Sequence, residues 1–403
     1  MPSSSIEWLF PDGAGGARLE RGVVRIPGGL PGDLVRWRPD GGRETAMVGA
    51  LEAIERPSPE RITPPCPWDS ACGGCDLSAL SGAGRLAALS RVAARAFGVD
   101  VDPPFFASPR AEGHRARIKL AIDGPAVGFR GERSHVIVPI EACRVARPEV
   151  VEALARLRPW VAEHGAGLES VEIRSDGARA VFAFTSNGPV QRSAFAALGD
   201  VALDGVVVAG DPTLTLRVAG LALRASPRSF YQVNLEVNER LVACVAGHVA
   251  SLNPERVLDL YSGIGNLTLP IAALGVPVVA VEREGQATAD LRANDRAWTV
   301  GRPKRAVIEV VEVNVERLDV ARVAFDVAVL DPPRAGAPGV LERVTRQRPK
   351  GIVYVACDPV NAARDVRPLL KQGYRITSIE CFDMFPETRH FETVVVLRRG
   401  NGA

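Results

Sequence analysis

The feature that most constrains this chain is a set of short, largely apolar runs in its C-terminal half. Four of them, at 256–260, 276–282, 325–331 and 351–357, alternate with helical segments, and two further strands are expected around 374–382 and 393–398. Continuous Val/Ile/Leu runs mean strands buried on both faces, hence a parallel sheet covered by helices. The expected architecture is doubly wound α/β, whose ligands sit beyond the carboxyl ends of the strands. Each of the four runs ends in a polar residue or leads straight into one.

The first run opens Asp259-Leu-Tyr-Ser-Gly-Ile-Gly-Asn-Leu-Thr268. Gly263 and Gly265 let the backbone turn tightly and approach a ligand. The second run ends at Glu282, placed to accept hydrogen bonds from ribose hydroxyls. A nicotinamide cofactor fits the same layout. The glycine pattern breaks at Thr268, however, where a pyrophosphate needs a third glycine. S-adenosylmethionine has no phosphate, so the departure favours it. The third run ends Asp331-Pro-Pro-Arg, an acid followed by a stiff wall that could hold a planar base; a plain helix-start loop capped by Asp331 is the alternative.

The last run ends at Cys357, followed by Asp358-Pro359. Most cysteines at strand ends are core residues, and Cys244 and Cys381 are read that way, the first on an apolar helix and the second inside a strand. Cys357 differs because it closes a strand at the ligand edge. A thiolate there could add to C6 of a uracil and make C5 nucleophilic toward a sulfonium methyl. A base must then remove the C5 proton. Glu392, just before the last strand, is the candidate; its bland reading is a solvated loop acid.

The rest of the chain has a different grammar. Residues 1–55 read as short strands with Gly-rich turns, a small barrel. A Pro-rich linker follows, then a loop carrying Cys66, Cys72 and Cys75, then a helix over 79–97. Residues 56–225 read as a mixed α+β domain, in which 115–122 alternates basic and apolar residues. The start has no basic apolar leader and no run nears the ~18 residues of a spanning helix, so a cytoplasmic protein with no membrane partner is expected. The seven cysteines of a reducing compartment then suggest metal or catalysis rather than disulfides. A net charge of +2 gives no nucleic-acid footprint by itself.

These residues resemble the RNA uridine-5-methyltransferase family. The likeness is carried by Ser229-Phe-Tyr-Gln-Val-Asn, the 259–268 loop, Asp331-Pro-Pro-Arg, Tyr354-Val-Ala-Cys-Asp-Pro with Arg364-Asp365, and Phe385-Pro-Glu-Thr-Arg-His-Phe-Glu. The resemblance implies a multidomain α/β protein whose residues 226–403 form a Rossmann-like class I methyltransferase domain. It implies that Gln232, Tyr261, Glu282 and Asp331, with Asn266 and Asn314, contact S-adenosylmethionine, that Cys357 is the nucleophile and that Glu392 is the base. The N-terminal segment looks like the OB-like TRAM barrel of the ribosomal-RNA branch. Cys66, Cys72, Cys75 and Cys143 are similar to that branch's [4Fe-4S] site, which four thiolates could also fill with zinc. The implied substrate is a uridine of 23S ribosomal RNA, with tRNA as the alternative. Ala356, Asp358, Ser78 and Asn314 depart from the family pattern, and Asp358 stands where an acid could raise the pKa of Cys357.

A C5 carbon is reachable only once the base leaves its stack, so a flipped uridine is expected. Arg115, Arg117 and Lys119 on one strand face, with Arg130 and His135, are expected to line the RNA groove, though a solvated strand face reads nearly as well. The helix at 79–97 is expected against the catalytic domain, and the protein is expected to be a monomer. Two rivals remain: a methyltransferase for an exocyclic amine, which needs no Cys357, and a non-catalytic RNA-binding protein.

Overall fold

The computed structural model describes residues 1–132, 134–299 and 306–400. Its C-terminal part is an eight-stranded sheet flanked by helices. We number the elements that build or cover it: α1 (Gly82–Phe97), β1 (Phe105–Phe106), α2 (Leu235–Ser251), β2 (Val257–Leu260), α3 (Thr268–Ala273), β3 (Val278–Glu282), α4 (Gly285–Thr299), β4 (Ile308–Glu312), β5 (Val327–Leu330), α5 (Pro338–Arg346), β6 (Gly351–Ala356), α6 (Pro359–Leu370), β7 (Tyr374–Phe382) and β8 (Glu392–Arg399). The strand order is β4-β3-β2-β5-β6-β8-β7-β1. Strands β2 to β6 run parallel, whereas β8 pairs antiparallel to both β6 and β7. All four residues of β2 and β5 and all six of β6 are buried, as continuous apolar runs require. Two apolar clusters sandwich the sheet, one centred on α2, α3 and α4 and the other on α5 and α6.

The outermost strand comes from far upstream. Phe105 and Phe106 pair parallel to Cys381 and Phe382 of β7, so the sheet draws its edge from outside residues 226–403. Two residues carry too little periodicity to be read as a strand. Helix α1 lies against α6 and β1. It starts at residue 82, not 79, because Ser81 caps it: the Ser81 hydroxyl accepts from Gly84 N at 3.0 Å. Arg85 of α1 makes a buried two-pronged ion pair with Asp383 just past β7, at 2.6 and 2.8 Å.

Upstream lie three other sheets, the smallest a two-stranded hairpin of Leu214–Val218 and Leu221–Ala225. The first fifty-odd residues form a six-stranded sheet around Val24, Ile26, Val35 and Trp37. Its last two strands, Leu34–Arg43 and Ala46–Arg56, are longer than the turn-rich sequence suggests and bend through three register shifts. Between it and the catalytic sheet is a seven-stranded, mostly antiparallel sheet under the helix Pro148–His164. No helix among the described residues is long and apolar enough to cross a membrane.

Candidate active site

The carboxyl ends of β2, β3, β5 and β6 meet at one place. A cavity of about 390 Å³ there is lined by Phe230, Gln232, Asp259, Tyr261, Gly263, Asn266 and Asp331, among others. The loop after β2 is wound tightly: Tyr261, Gly263 and Gly265 all have positive φ (63°, 53° and 96°). At Gly265 a Cβ would lie 2.2 Å from Leu269 and 2.6 Å from Leu291, so glycine is what lets α3 and α4 close on the loop. Glu282 braces the loop from β3, accepting from Gly263 N at 3.0 Å and from Arg283 N and Glu284 N at 2.7 and 2.9 Å.

Among the other residues singled out from the sequence, Gln232 is buried and lines the cavity. Asn266 lines it too, but its amide is engaged reciprocally with Asn238 of α2, at 2.8 and 2.9 Å. Tyr261 donates its hydroxyl to Glu316 at 3.0 Å. Asn314 caps the short turn Val315–Arg317, its side chain accepting from Glu316 N at 2.9 Å.

Cys357 sits between β6 and α6. Ala356 pairs with Thr393 across the β6–β8 ladder, so the next position places Glu392 opposite Cys357. Glu392 is buried, and its Oε2 has no hydrogen-bond partner among the described residues. Burial, then the charge of Asp331, pushes its carboxyl well above the usual range. Burial likewise lifts Asp331, to about 6. The Cys357 thiol is pushed up to about 12, first by burial, then by Glu392 and Asp331, while Arg334 pulls it down. Asp358 contributes least among these neighbours, because its carboxylate is turned to α6, accepting from Val360 N and Asn361 N at 3.0 Å each.

The Asp331-Pro-Pro-Arg loop is clamped from α6. Asp365 accepts from Ala337 N at 2.7 Å and from the Tyr354 hydroxyl at 2.8 Å, while Arg364 reaches Ala335 O at 2.7 Å. Arg364-Asp365 thus act by holding this wall. One residue escaped the sequence reading. Asp259 is buried, its Oδ1 is without a partner among the described residues, and burial lifts it to about 7. An acid inside the run Val-Leu-Asp-Leu was the available signal.

The other cysteines converge elsewhere. Cys66, Cys72, Cys75 and Cys143 line one cavity of about 580 Å³, together with Trp68, Phe129, Ile140, Arg115 and Glu387. Burial raises the Cys72 and Cys143 thiols and pushes Cys75 up to about 12, and Arg115 opposes the rise at all three. Backbone N–H groups of Gly74 and of Val145 and Ala146 are directed at Cys72 and Cys143. A Cβ on Gly74 would stand 3.4 Å from the Cys72 sulfur.

The basic strand divides. The regular strand begins at Arg117, and Arg115 makes only isolated bridges, to Ala146 and Asn234, with its side chain lining the cysteine cavity. The expected single groove face is therefore broken at Arg115, which is half-buried beside the thiols. Arg117 binds Glu172 at 2.9 Å and lies over the exposed Phe230 ring, 4.4 Å from its centroid. Lys119 is exposed, and Arg130 bonds the His135 carbonyl at 3.2 Å.

A parallel sheet with acids at its carboxyl ends around a tightly wound, Glu282-braced glycine loop defines an α/β protein with a nucleotide-type ligand site. The comparisons narrow this. The sequence model for tRNA (Uracil-5-)-methyltransferase matches residues 211–400. The 23S rRNA (uracil(1939)-C(5))-methyltransferase RlmD of Pectobacterium atrosepticum is 34% identical, the alignment covering 98% of this chain and 93% of that protein. RlmD of Salmonella typhimurium is 32% identical over 96% and 94%. The crystal structure of Pyrococcus abyssi tRNA (uracil-54, C5)-methyltransferase with S-adenosyl-L-homocysteine superposes with a TM-score of 0.78 at 27% identity, covering 98% of this chain and 100% of that one. The chain belongs to the RNA uracil-C5-methyltransferase family and is an S-adenosylmethionine-dependent RNA methyltransferase.

Proposed function

We propose that this enzyme methylates C5 of a uridine in 23S ribosomal RNA through a covalent Cys357–C6 intermediate. The observation that carries the reading is the β6–β8 register, which sets Cys357 against Glu392 beside Asp331. S-adenosylmethionine, when bound, supplies an electrophilic methyl group. The lining of Gln232, Tyr261, Gly263 and Asp331 suits a nucleoside, and Glu282 holds the loop that carries it. The Cys357 thiol gives up its proton to solvent as its sulfur bonds to C6 of the uracil, and the electron pair of the C5–C6 bond makes C5 the nucleophile that takes the methyl, the methyl–sulfur bond of the sulfonium breaking to leave the neutral thioether. Glu392 then removes the C5 proton, the electrons return to the ring, and the C6–S bond breaks. Burial, which lifts the proton affinity of the Glu392 carboxyl, makes it a stronger base for that task. Asp331 and the clamped proline loop hold the base plane.

The four-cysteine cavity fits a [4Fe-4S] cluster. Backbone N–H groups already face two of the sulfurs, and Arg115 supplies positive charge beside three. A single zinc with bonds of about 2.3 Å needs its sulfurs within about 4 Å of one another. Among the described residues the set of three metal-type donor atoms within 4.8 Å of one another lies elsewhere, at Cys244, His248 and Glu380, so the cysteine cavity is better sized for a polynuclear centre. We assign residues 1–55 to a TRAM-like barrel, 56–225 to a central RNA-binding domain and 226–403 to the methyltransferase domain. Arg117 over Phe230 forms a surface on which an extruded base can stack.

The test is methyl transfer from labelled S-adenosylmethionine to size-fractionated RNA from cells lacking the protein. Label as 5-methyluridine in 23S RNA supports the reading. Label in tRNA, the reading that the archaeal structure would favour, keeps the chemistry and overturns the substrate.

A further inference from the structure

Neither the methyl-transfer site nor the cysteine cavity uses the third group of metal-type ligands in this fold. Cys244 and His248 stand four positions apart on α2 and so share one face, a turn apart. Glu380 of β7 meets them both. His248 Nε2 lies 2.5 Å from its Oε1, and Cys244 Sγ donates to its Oε2 at 3.4 Å. The donor atoms of all three lie within 4.8 Å of one another. Ser378 Oγ donates to Glu380 Oε1 at 3.0 Å, fixing the carboxylate as outer partners do around metal ligands.

We propose that Cys244, His248 and Glu380 bind a zinc ion. Thiolate, imidazole and carboxylate together suit zinc and not the hard cations magnesium or calcium, which take oxygen. Three protein ligands leave a fourth position for water. That position is reachable, because the His248 and Glu380 side chains are 24% and 17% exposed. Bonds of about 2.0–2.3 Å set donors roughly 3.5 Å apart, so His248 Nε2 and Glu380 Oε1, now 2.5 Å apart, would separate to admit the ion. Cys244 and His248 both converge on the Glu380 carboxylate, within 4.8 Å of one another. Binding displaces the thiol proton, which burial and Glu380 otherwise retain on Cys244.

The ion would join elements more than 130 residues apart in sequence, as the 132-residue separation of His248 and Glu380 shows. Helix α2 also carries Asn238, the partner of Asn266 in the cofactor loop. Strand β7 leads through Asp383 toward the segment that ends at Glu392. Zinc at this point would fasten the two walls of the site from behind without touching the reacting atoms.

The experiment uses full-length protein purified with its iron content intact. It is equilibrated with zinc, freed of excess metal, and measured for zinc per chain and for the zinc-edge X-ray absorption of wild type and Cys244→Ser. The expected result is about one zinc per chain whose shell holds one sulfur among nitrogen and oxygen, lost in Cys244→Ser with iron unchanged. His248→Asn provides the second variant should the first fold poorly, and both should retain methyl transfer. Zinc bound through four sulfurs alone, or equal zinc in wild type and both variants, or none in wild type, would show a hydrogen-bonded triad only and overturn the proposal.

Discussion

The four half-buried thiols of the central cavity and the half-buried thiol of Cys357 differ in the charged groups that stand beside them. The four cysteines of the central cavity face Arg115, which opposes the effect of burial on Cys72, Cys75 and Cys143. Cys357 faces Glu392 and Asp331, which add to it. In the first arrangement a neighbouring cation partly offsets the effect of burial on the thiols. In the second, neighbouring carboxyls add to burial and hold the thiol in its protonated form. Sequence gives both as cysteines near polar neighbours; only the fold sets the sign of those neighbours.

The largest effect should come from Cys357→Ala, which removes the attacking atom. Methyl transfer is expected to fall by on the order of 10⁴-fold or more, with iron content unchanged. Cys75→Ser should do the reverse, releasing iron and lowering thermal stability while leaving the residue at 357 intact; equal iron in that variant would break the comparison. Glu392→Gln should slow turnover by roughly 10²–10⁴-fold and let a methylated RNA–protein adduct accumulate on denaturing gels.

Smaller effects sharpen the contrast. Arg115→Leu should weaken retention of the centre by about 10–100-fold, as loss of an outer partner does, read as iron released to a chelator. Alkylation of Cys357 in substrate-free protein should rise about tenfold per pH unit between pH 7 and 9, since its thiol lies near 12; Asp331→Asn should speed it, and a plateau below pH 9 would refute the electrostatic account. The buried acids also set a stability slope. Asp259 rises from 3.8 unfolded to about 7 folded, so the native state binds the extra proton between these values. Its stability contribution is present below about pH 4 and lost as pH rises through about 7. His114 and His390, held by burial at about 3 and about 4, slope the other way over the same window, so the readout is the difference: the melting temperature of cofactor-free Asp259→Asn should gain on that of the wild type as pH rises from about 4 to about 7.

What could be read from the sequence was what repeats locally. The apolar runs gave β2, β3, β5 and β6, and their polar ends gave Glu282, Asp331 and Cys357, because strand burial and the ligand edge are written in a few adjacent residues. What escaped depends on distant partners. Arg115 lines a cavity whose cysteines come from two other segments, the 66–75 loop and Cys143. The commitment of Asn266 is set by Asn238, 28 residues earlier. Strand β1 exists because β7 offers an edge to two phenylalanines. Cys244 reads as an ordinary core thiol on an apolar helix until β7 brings Glu380 against it.

The most direct test of the nucleophile uses substrate RNA carrying 5-fluorouridine at the target position, incubated with the enzyme and S-adenosylmethionine. Fluorine at C5 cannot leave as a proton does, so Glu392 has nothing to remove and the C6–S bond should persist. The account predicts a denaturation-stable complex whose digestion yields the Cys357 peptide joined to methylated fluorouridine. No adduct from an enzyme active on the normal RNA, or the same adduct formed by Cys357→Ala, would contradict it.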